Sequence, residues 1–420
     1  MKNKPFPDSF LWGIGTSAHQ VEGNTTSNEV WVLEHVNNSL FAEPAGDALD
    51  HFWRYPEDIR LLADLGMKSY RFSLEWSRIE PEQGYYSQAA MDHYRRMVEC
   101  CHENGVQPLI SYHCFTHPRW MEADGGWENM ENADRFTRFC EFVTQNLKGM
   151  VPMGFTLNEA NLPFVMQYRG LLRIGREFEN EPWFQKAAQL CGADDVSSFR
   201  PFFSTEVEKG LPVCIAAHRK SYEAIKSIDP EVQLGITLSF KDERLVSGGE
   251  QTRAQFRAVC DDAFLEAVKD DDFVGVQTYT HSTFHSDREE FLPQDVKQTQ
   301  LGYPYSPASI GGAIRRVAEA VNCPIIVTEN GIATDDDHQR IEFFHGALES
   351  VRRCIDDGLD VRGFLAWTLF DNFEWMKGYA PKFGLIAVDR TTQVRTPKPS
   401  AHWFGACCQQ NATLEIPVVD

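Results

Sequence analysis

Ile325-Ile326-Val327-Thr328-Glu329-Asn330-Gly331 is an apolar, β-branched run that halts on a carboxylate and an amide. Gly154-Phe155-Thr156-Leu157-Asn158-Glu159 has the same plan, with the amide before the carboxylate. The two glutamates lie 170 residues apart. Each segment reads as a strand buried on both faces that presents polar side chains only where it ends. Near-continuous apolar runs, rather than alternating ones, mark parallel strands covered on both sides.

Six further runs share this character, giving expected strands at 10–17, 69–74, 107–113, 153–158, 233–238, 273–279, 324–329 and 361–368. Helical periodicity falls between them, at 56–65, 91–103, 135–147 and 213–228. The helix at 56–65 stops at Leu65-Gly66, and that at 213–228 stops at Asp229-Pro230. Alternating strands and helices without a linker or low-complexity break predict one α/β domain over 1–420, a (β/α)8 TIM barrel. A minimal barrel takes about 250 residues, so the surplus is assigned to loops. The two longest, at 169–210 and 281–307, follow the fourth and sixth strands and emerge at the C-terminal face. The first is rich in Phe and Trp and suits the wall of a pocket.

Two carboxylates at the C-terminal ends of parallel strands are the equipment for cleaving a glycosidic bond by double displacement. One attacks the sugar and the other shuttles the proton. Aromatics at 12%, with ten Trp, serve a core and also suit stacking on sugar rings. A formal net charge of −21 argues against nucleic acid or an anionic membrane surface as partner. No apolar run is long enough to span a bilayer. The eleven Cys are odd in number and lack a C-x-x-C, so they read as reduced and structural. Together with an N-terminus that lacks a secretory pattern, this leads to an expected cytoplasmic location.

The chain resembles family 1 glycoside hydrolases, the β-glucosidase family, from Phe6 to about Phe404. The segments that carry the likeness occur in order: Phe10-Leu11-Trp12-Gly13 through Gln20-Val21-Glu22-Gly23, Tyr70-Arg71-Phe72-Ser73, Trp76-Ser77-Arg78-Ile79, His113, Thr156-Leu157-Asn158-Glu159 and Thr328-Glu329-Asn330-Gly331. They continue through Trp367-Thr368-Leu369-Phe370-Asp371-Asn372-Phe373-Glu374-Trp375 and Phe383-Gly384-Leu385.

The resemblance implies a retaining β-glycosidase acting on the non-reducing end of small β-glycosides, with Glu159 as acid/base and Glu329 as nucleophile. Retention implies carboxyl groups about 5–5.5 Å apart. Arg71 and Tyr279 match the residues that keep the nucleophile ionised and hydrogen-bonded. Gln20, Glu374, His113 and Trp375 match the sugar-hydroxyl subsite, Asn158 the contact to the 2-hydroxyl, and Trp367 the platform beneath the sugar face. No cofactor is implied. Glu374 favours an unphosphorylated glucoside, galactoside or fucoside, although Lys377 and Lys382 stand nearby. The runner-up readings are a 6-phospho-β-glycosidase and a non-catalytic sugar-binding barrel. Oligomeric state and aglycone have no signature in the chain.

Three positions depart from the family pattern: Cys114 where an aromatic is usual, Ala160 where Pro closes the acid/base motif, and Gln277 in place of Asn in Gln277-Thr278-Tyr279. Cys114 is expected to widen the pocket near the distal hydroxyls. His113 and His117 have the i, i+4 spacing of a helical metal pair, but they stand at a strand end before Pro118, and no metal is expected there. Asp335-Asp336-Asp337 reads as a solvated loop.

Overall fold

The computed structural model describes residues 4–171 and 176–418. Eight strands close into a parallel barrel: β1 (Leu11–Thr16), β2 (Ser69–Ser73), β3 (Gln107–His113), β4 (Met153–Leu157), β5 (Gln233–Ser239), β6 (Phe273–Gln277), β7 (Ile325–Asn330) and β8 (Val361–Trp367). Each pairs with its neighbours in the sequence, and β8 closes the ring onto β1. All eight expected strands are present. The largest boundary difference is at β6, which ends on Gln277, so Tyr279 stands beyond the strand rather than at its tip.

The helices start earlier than the apolar stripe suggests. Helix Gln88–Glu103 is capped by Ser87, whose side chain accepts from the Ala90 N–H, and helix Met130–Leu147 by Asn129, which accepts from the Glu131 N–H. The first turn at Gln88 is Gln88-Ala89-Ala90 and that at Met130 holds Glu131 and Asn132, so neither shows a large apolar stripe and periodicity alone does not detect them; the caps do. Helices His51–Asp64 and Val207–Ile228 likewise begin ahead of the expected 56 and 213, and each carries an internal proline, Pro56 or Pro212, in its second turn.

Leu109, Phe155, Phe273, Ile326 and Leu365 form their own buried cluster, with Leu11 and Met153 against it. Side chains from six different strands meet only inside the barrel, so this cluster is its internal plug. The larger core lies between the strands and the surrounding helices.

The segments expected as long loops have structure of their own. Of the 169–210 stretch, 172–175 lie outside the described residues. The rest includes helix Pro182–Leu190, whose Trp183, Phe184 and Ala187 pack with Val32 and Leu33 of helix Glu29–His35. In the 281–307 stretch, strand His281–Phe284 pairs with Asp242–Leu245 and Glu289–Glu290 in a small sheet. Both additions follow C-terminal strand ends, so they raise walls on one face of the barrel. Among the described residues no helix is long and apolar enough to cross a membrane.

Candidate active site

Against β6, β7 keeps register through Val327 and slips before Glu329; against β8 it shifts between Ile325 and Ile326 and again between Val327 and Asn330. An irregularity of this kind re-aims the side chain that follows it. Glu159 lies just past the end of β4 with φ +45°, a left-handed conformation uncommon for a residue with a Cβ. Its backbone N–H donates to Thr237 Oγ1 on β5 at 3.1 Å, which holds it in that conformation. Glu159 and Glu329 both open into one cavity of about 710 Å³ at the C-terminal face.

The hydrogen bonds are distributed unequally between the two carboxyls. Arg71 Nη1 and Gln277 Nε2 donate to Glu329 Oε1, at 2.7 and 2.8 Å, and Tyr279 Oη donates to Glu329 Oε2 at 2.7 Å. Arg71 also donates to Asn158 Oδ1 and lies over the Phe155 ring, 4.9 Å from its centroid. The barrel plug thus forms the floor under the site. Burial pushes the Glu329 carboxyl up, and the Arg71 charge together with the Tyr279, Arg71 and Gln277 hydrogen bonds pulls it back. Glu159 has no comparable set of donors. Burial, and then the charge of Glu329, push it up to about 7, opposed by Lys241 and a hydrogen bond from Ser239. When the pair holds one proton, it resides on Glu159. Burial and the two glutamates keep the Tyr279 phenol far above its ordinary range, so it remains a donor.

Gln20, Trp367, Glu374 and Trp375 line the same cavity as the glutamates, Asn158 and Tyr279. Gln20 Nε2 bonds Phe373 O at 2.6 Å and Glu374 Oε1 at 3.2 Å, and Asn372 Nδ2 meets the same carboxyl oxygen at 3.2 Å. Burial pushes Glu374 up to about 8 despite these donors. Trp367 packs with Ala333 and Phe383 against Tyr279, and Trp375 stacks on His19 at 5.6 Å.

Arg71 and His113 do not face the cavity. Arg71 stands behind Glu329. His113 is fully buried between Trp127 and Phe202, with ring centroids 4.9 and 5.0 Å away, and burial depresses its pKa. His117 is held between Glu29 and Glu122, at 3.2 and 2.5 Å. Cys114 is buried, whereas the adjacent Phe115 lines the cavity and meets Trp375 edge-on at 5.3 Å.

Thr237, Lys241 and Tyr303 belong to the site as well and were not among the residues expected there. Thr237 Oγ1 also donates to Asn158 Oδ1 at 2.9 Å, and Lys241 and Tyr303 line the cavity. Lys241 follows β5 by two residues, so the rule that polar residues at barrel-strand ends carry function covers it. Tyr303 comes from the long segment after β6 and has no such marker.

The glycosyl hydrolase family 1 model matches residues 2–255 and 265–413. The chain is 28% identical to β-glucosidase A of Thermotoga maritima, across 98% of this chain and 99% of that protein. Among solved structures it is similar to the β-glycosidase BGL167, with TM-score 0.93 and 46% identity over 99% of this chain and 100% of that one. It is also similar to a β-glycosidase from Pyrococcus horikoshii, with TM-score 0.83 and 30% identity over 98% and 97%. With two buried glutamates facing one cavity at the mouth of the barrel, the chain belongs to glycosyl hydrolase family 1 and is an enzyme of the β-glucosidase type.

Proposed function

We propose that this enzyme hydrolyses the non-reducing-end sugar of small, unphosphorylated β-glucosides with retention, and that galactosides and fucosides fall within its range. The observation that carries the reading is the asymmetry of the carboxyl pair. Three donors converge on Glu329 and leave it the better anion, while burial beside that anion keeps Glu159 protonated up to about pH 7. In the first step Glu329 attacks the anomeric carbon, and Glu159 gives its proton to the departing glycosidic oxygen. In the second step Glu159 takes a proton from water, and that water displaces the sugar from Glu329. Arg71, Tyr279 and Gln277 hold the nucleophile, and Asn158 is assigned to the 2-hydroxyl. Gln20, Glu374 and Trp375 take the distal hydroxyls, with His113 supporting them from behind, and Trp367 takes the sugar face. The relatives named β-glucosidase support a glucoside.

Lys377 in the cavity wall is the one observation that favours a 6-phosphate at the sugar. Glu374 opposes it, since a phosphate dianion there would meet a carboxyl. Turnover of p-nitrophenyl β-glucoside, β-galactoside and β-fucoside, each compared with p-nitrophenyl 6-phospho-β-glucoside, tests the choice. Preference for the phosphorylated sugar would reverse it. Eleven unpaired cysteines, ten of them buried, support a reducing, cytoplasmic location.

A further inference from the structure

The order of strands places the two ends of the cavity. Gln20 follows β1 and Glu374 follows β8, whereas Lys241 follows β5, which lies across the closed barrel from β1. β5 neighbours β4, which carries Glu159. The leaving group departs from the acid's side of the sugar, so Lys241 faces the aglycone.

Lys241 is a cation of that wall without an ion-pair partner among the described residues. Its ammonium makes no hydrogen bond among the described residues and lies over the face of Tyr303, 6.0 Å from the ring centroid. Arg169, which lines the same wall, is fully engaged: its Nε reaches both carboxylate oxygens of Glu289 at 3.0 Å. The acidic groups that act on Lys241 at longer range are Glu159, Glu289 and Asp261. Glu289 is committed to Arg169. Burial pushes Asp261 up to about 7, and Glu159 is protonated while the intact glycoside is bound, before it gives that proton to the leaving group. Tyr303 lies by Lys241 and Phe291 packs on Tyr303 at 5.6 Å, and the same cavity is lined by Leu292 and Met166, so this wall suits a flat apolar ring.

We propose that Lys241 is a specificity residue that recognises an aromatic aglycone bearing a carboxylate. The proposal rests on Glu159 being the proton donor. Its physical basis is that a carboxylate brought by the substrate gains a charge-assisted hydrogen bond from an ammonium that has no competing partner.

The test compares 4-carboxyphenyl β-glucoside with its neutral isostere, 4-carbamoylphenyl β-glucoside, in wild type, Lys241→Gln and Lys241→Arg. In wild type kcat/KM is expected to favour the carboxylate by about tenfold, mostly through KM. Lys241→Gln is expected to bring the ratio to one or below, and Lys241→Arg to keep it above one. A wild-type ratio at or below one, or one that survives Lys241→Gln, overturns the proposal. 2,4-Dinitrophenyl β-glucoside, whose leaving group needs no protonation, separates the two failures in wild type. If it is not hydrolysed, the glycosidase reading itself is wrong. If it is hydrolysed and no carboxylate preference appears, only the role of Lys241 is wrong.

Discussion

Gln277 and Glu329 are joined by a 2.8 Å hydrogen bond from the Gln277 amide to Glu329 Oε1, and the same nitrogen reaches Asn158 Oδ1 at 2.8 Å. One NH2 group has two protons, and here each has an acceptor. The longer side chain at this position therefore still ties the nucleophile strand to the end of β4. Gln277→Met keeps the length and removes both bonds. Its kcat/KM is expected to fall about tenfold or more. Loss of a donor disfavours the ionised form of Glu329, so the acidic limb of the pH profile is expected to move to higher pH. An unmoved acidic limb would mean that Gln277 does not tune the nucleophile.

Glu329→Ala removes the attacking group and is expected to reduce turnover by several orders of magnitude while glucose-type inhibitors still bind. Calorimetric titration of such an inhibitor, alongside turnover of p-nitrophenyl β-glucoside, checks both halves. Residual turnover near wild type would sink the assignment.

Glu159→Ala leaves Glu329 in place, so its effect depends on the leaving group. Alkyl glucosides are expected to lose far more activity than 2,4-dinitrophenyl β-glucoside in the glycosylation step. In the wild type the protonated form of Glu159 is the active one, and its carboxyl titrates at about 7. Activity is therefore expected to decline as pH rises through that value, and the variant to lose this limb. Equal losses on both substrates would point to a role other than proton donation.

Glu374 has a stability consequence with a definite sign. Its folded-state pKa, about 8, lies above the ordinary 4.5, so the native state binds more protons than the unfolded state between these values. Its favourable contribution is complete below about pH 4.5 and is lost as pH rises toward 8. Glu374→Gln escapes that loss. The variant is expected to gain about a degree or two in Tm at pH 8 relative to wild type, and less at pH 5. It is also expected to lose kcat/KM on glucosides. Thermal melts at the two pH values decide this; a gain that is the same at both would refute the linkage.

Arg71 is 2% exposed, and its charge partner Glu329 is 4% exposed. Removing one member of a buried pair strands the other, at a cost of about 3–5 kcal/mol. Arg71→Met is expected to show a loss of this order in urea unfolding near pH 8, shrinking at pH 5 as Glu329 takes up a proton. A loss independent of pH would assign Arg71 to packing against Phe155 alone.

The eight strands were legible because the burial pattern is a local property. Ile325 to Val327 is a short β-branched apolar run that fits a doubly covered strand, and Met153 to Leu157 is a second, mostly apolar run. Glu159 and Glu329 were legible for the same reason, at the ends of such runs, whereas Gln20, Asn158, Tyr279, Trp367, Glu374 and Trp375 were expected only through the resemblance of their segments to the family. Helix starts were less so, because first turns such as Gln88-Ala89-Ala90 carry no large apolar stripe. The helix at Pro182–Leu190 was hidden within a segment that only its packing on Val32 and Leu33 orders.

By itself, then, the chain determined the barrel, the strand ends and the two glutamates, since hydrophobic patterning acts over a few neighbouring residues. The tertiary structure decided how unequally the two carboxyls are hydrogen-bonded, because Arg71, Gln277 and Tyr279 converge on Glu329 from β2, β6 and the turn beyond β6. It also decided that His113 sits behind the cavity wall and that Lys241 stands in it without a hydrogen-bond or ion-pair partner among the described residues. Hydrogen bonds and charge interactions fall off within a few ångströms, and only the closed barrel brings residues so distant in sequence within that range.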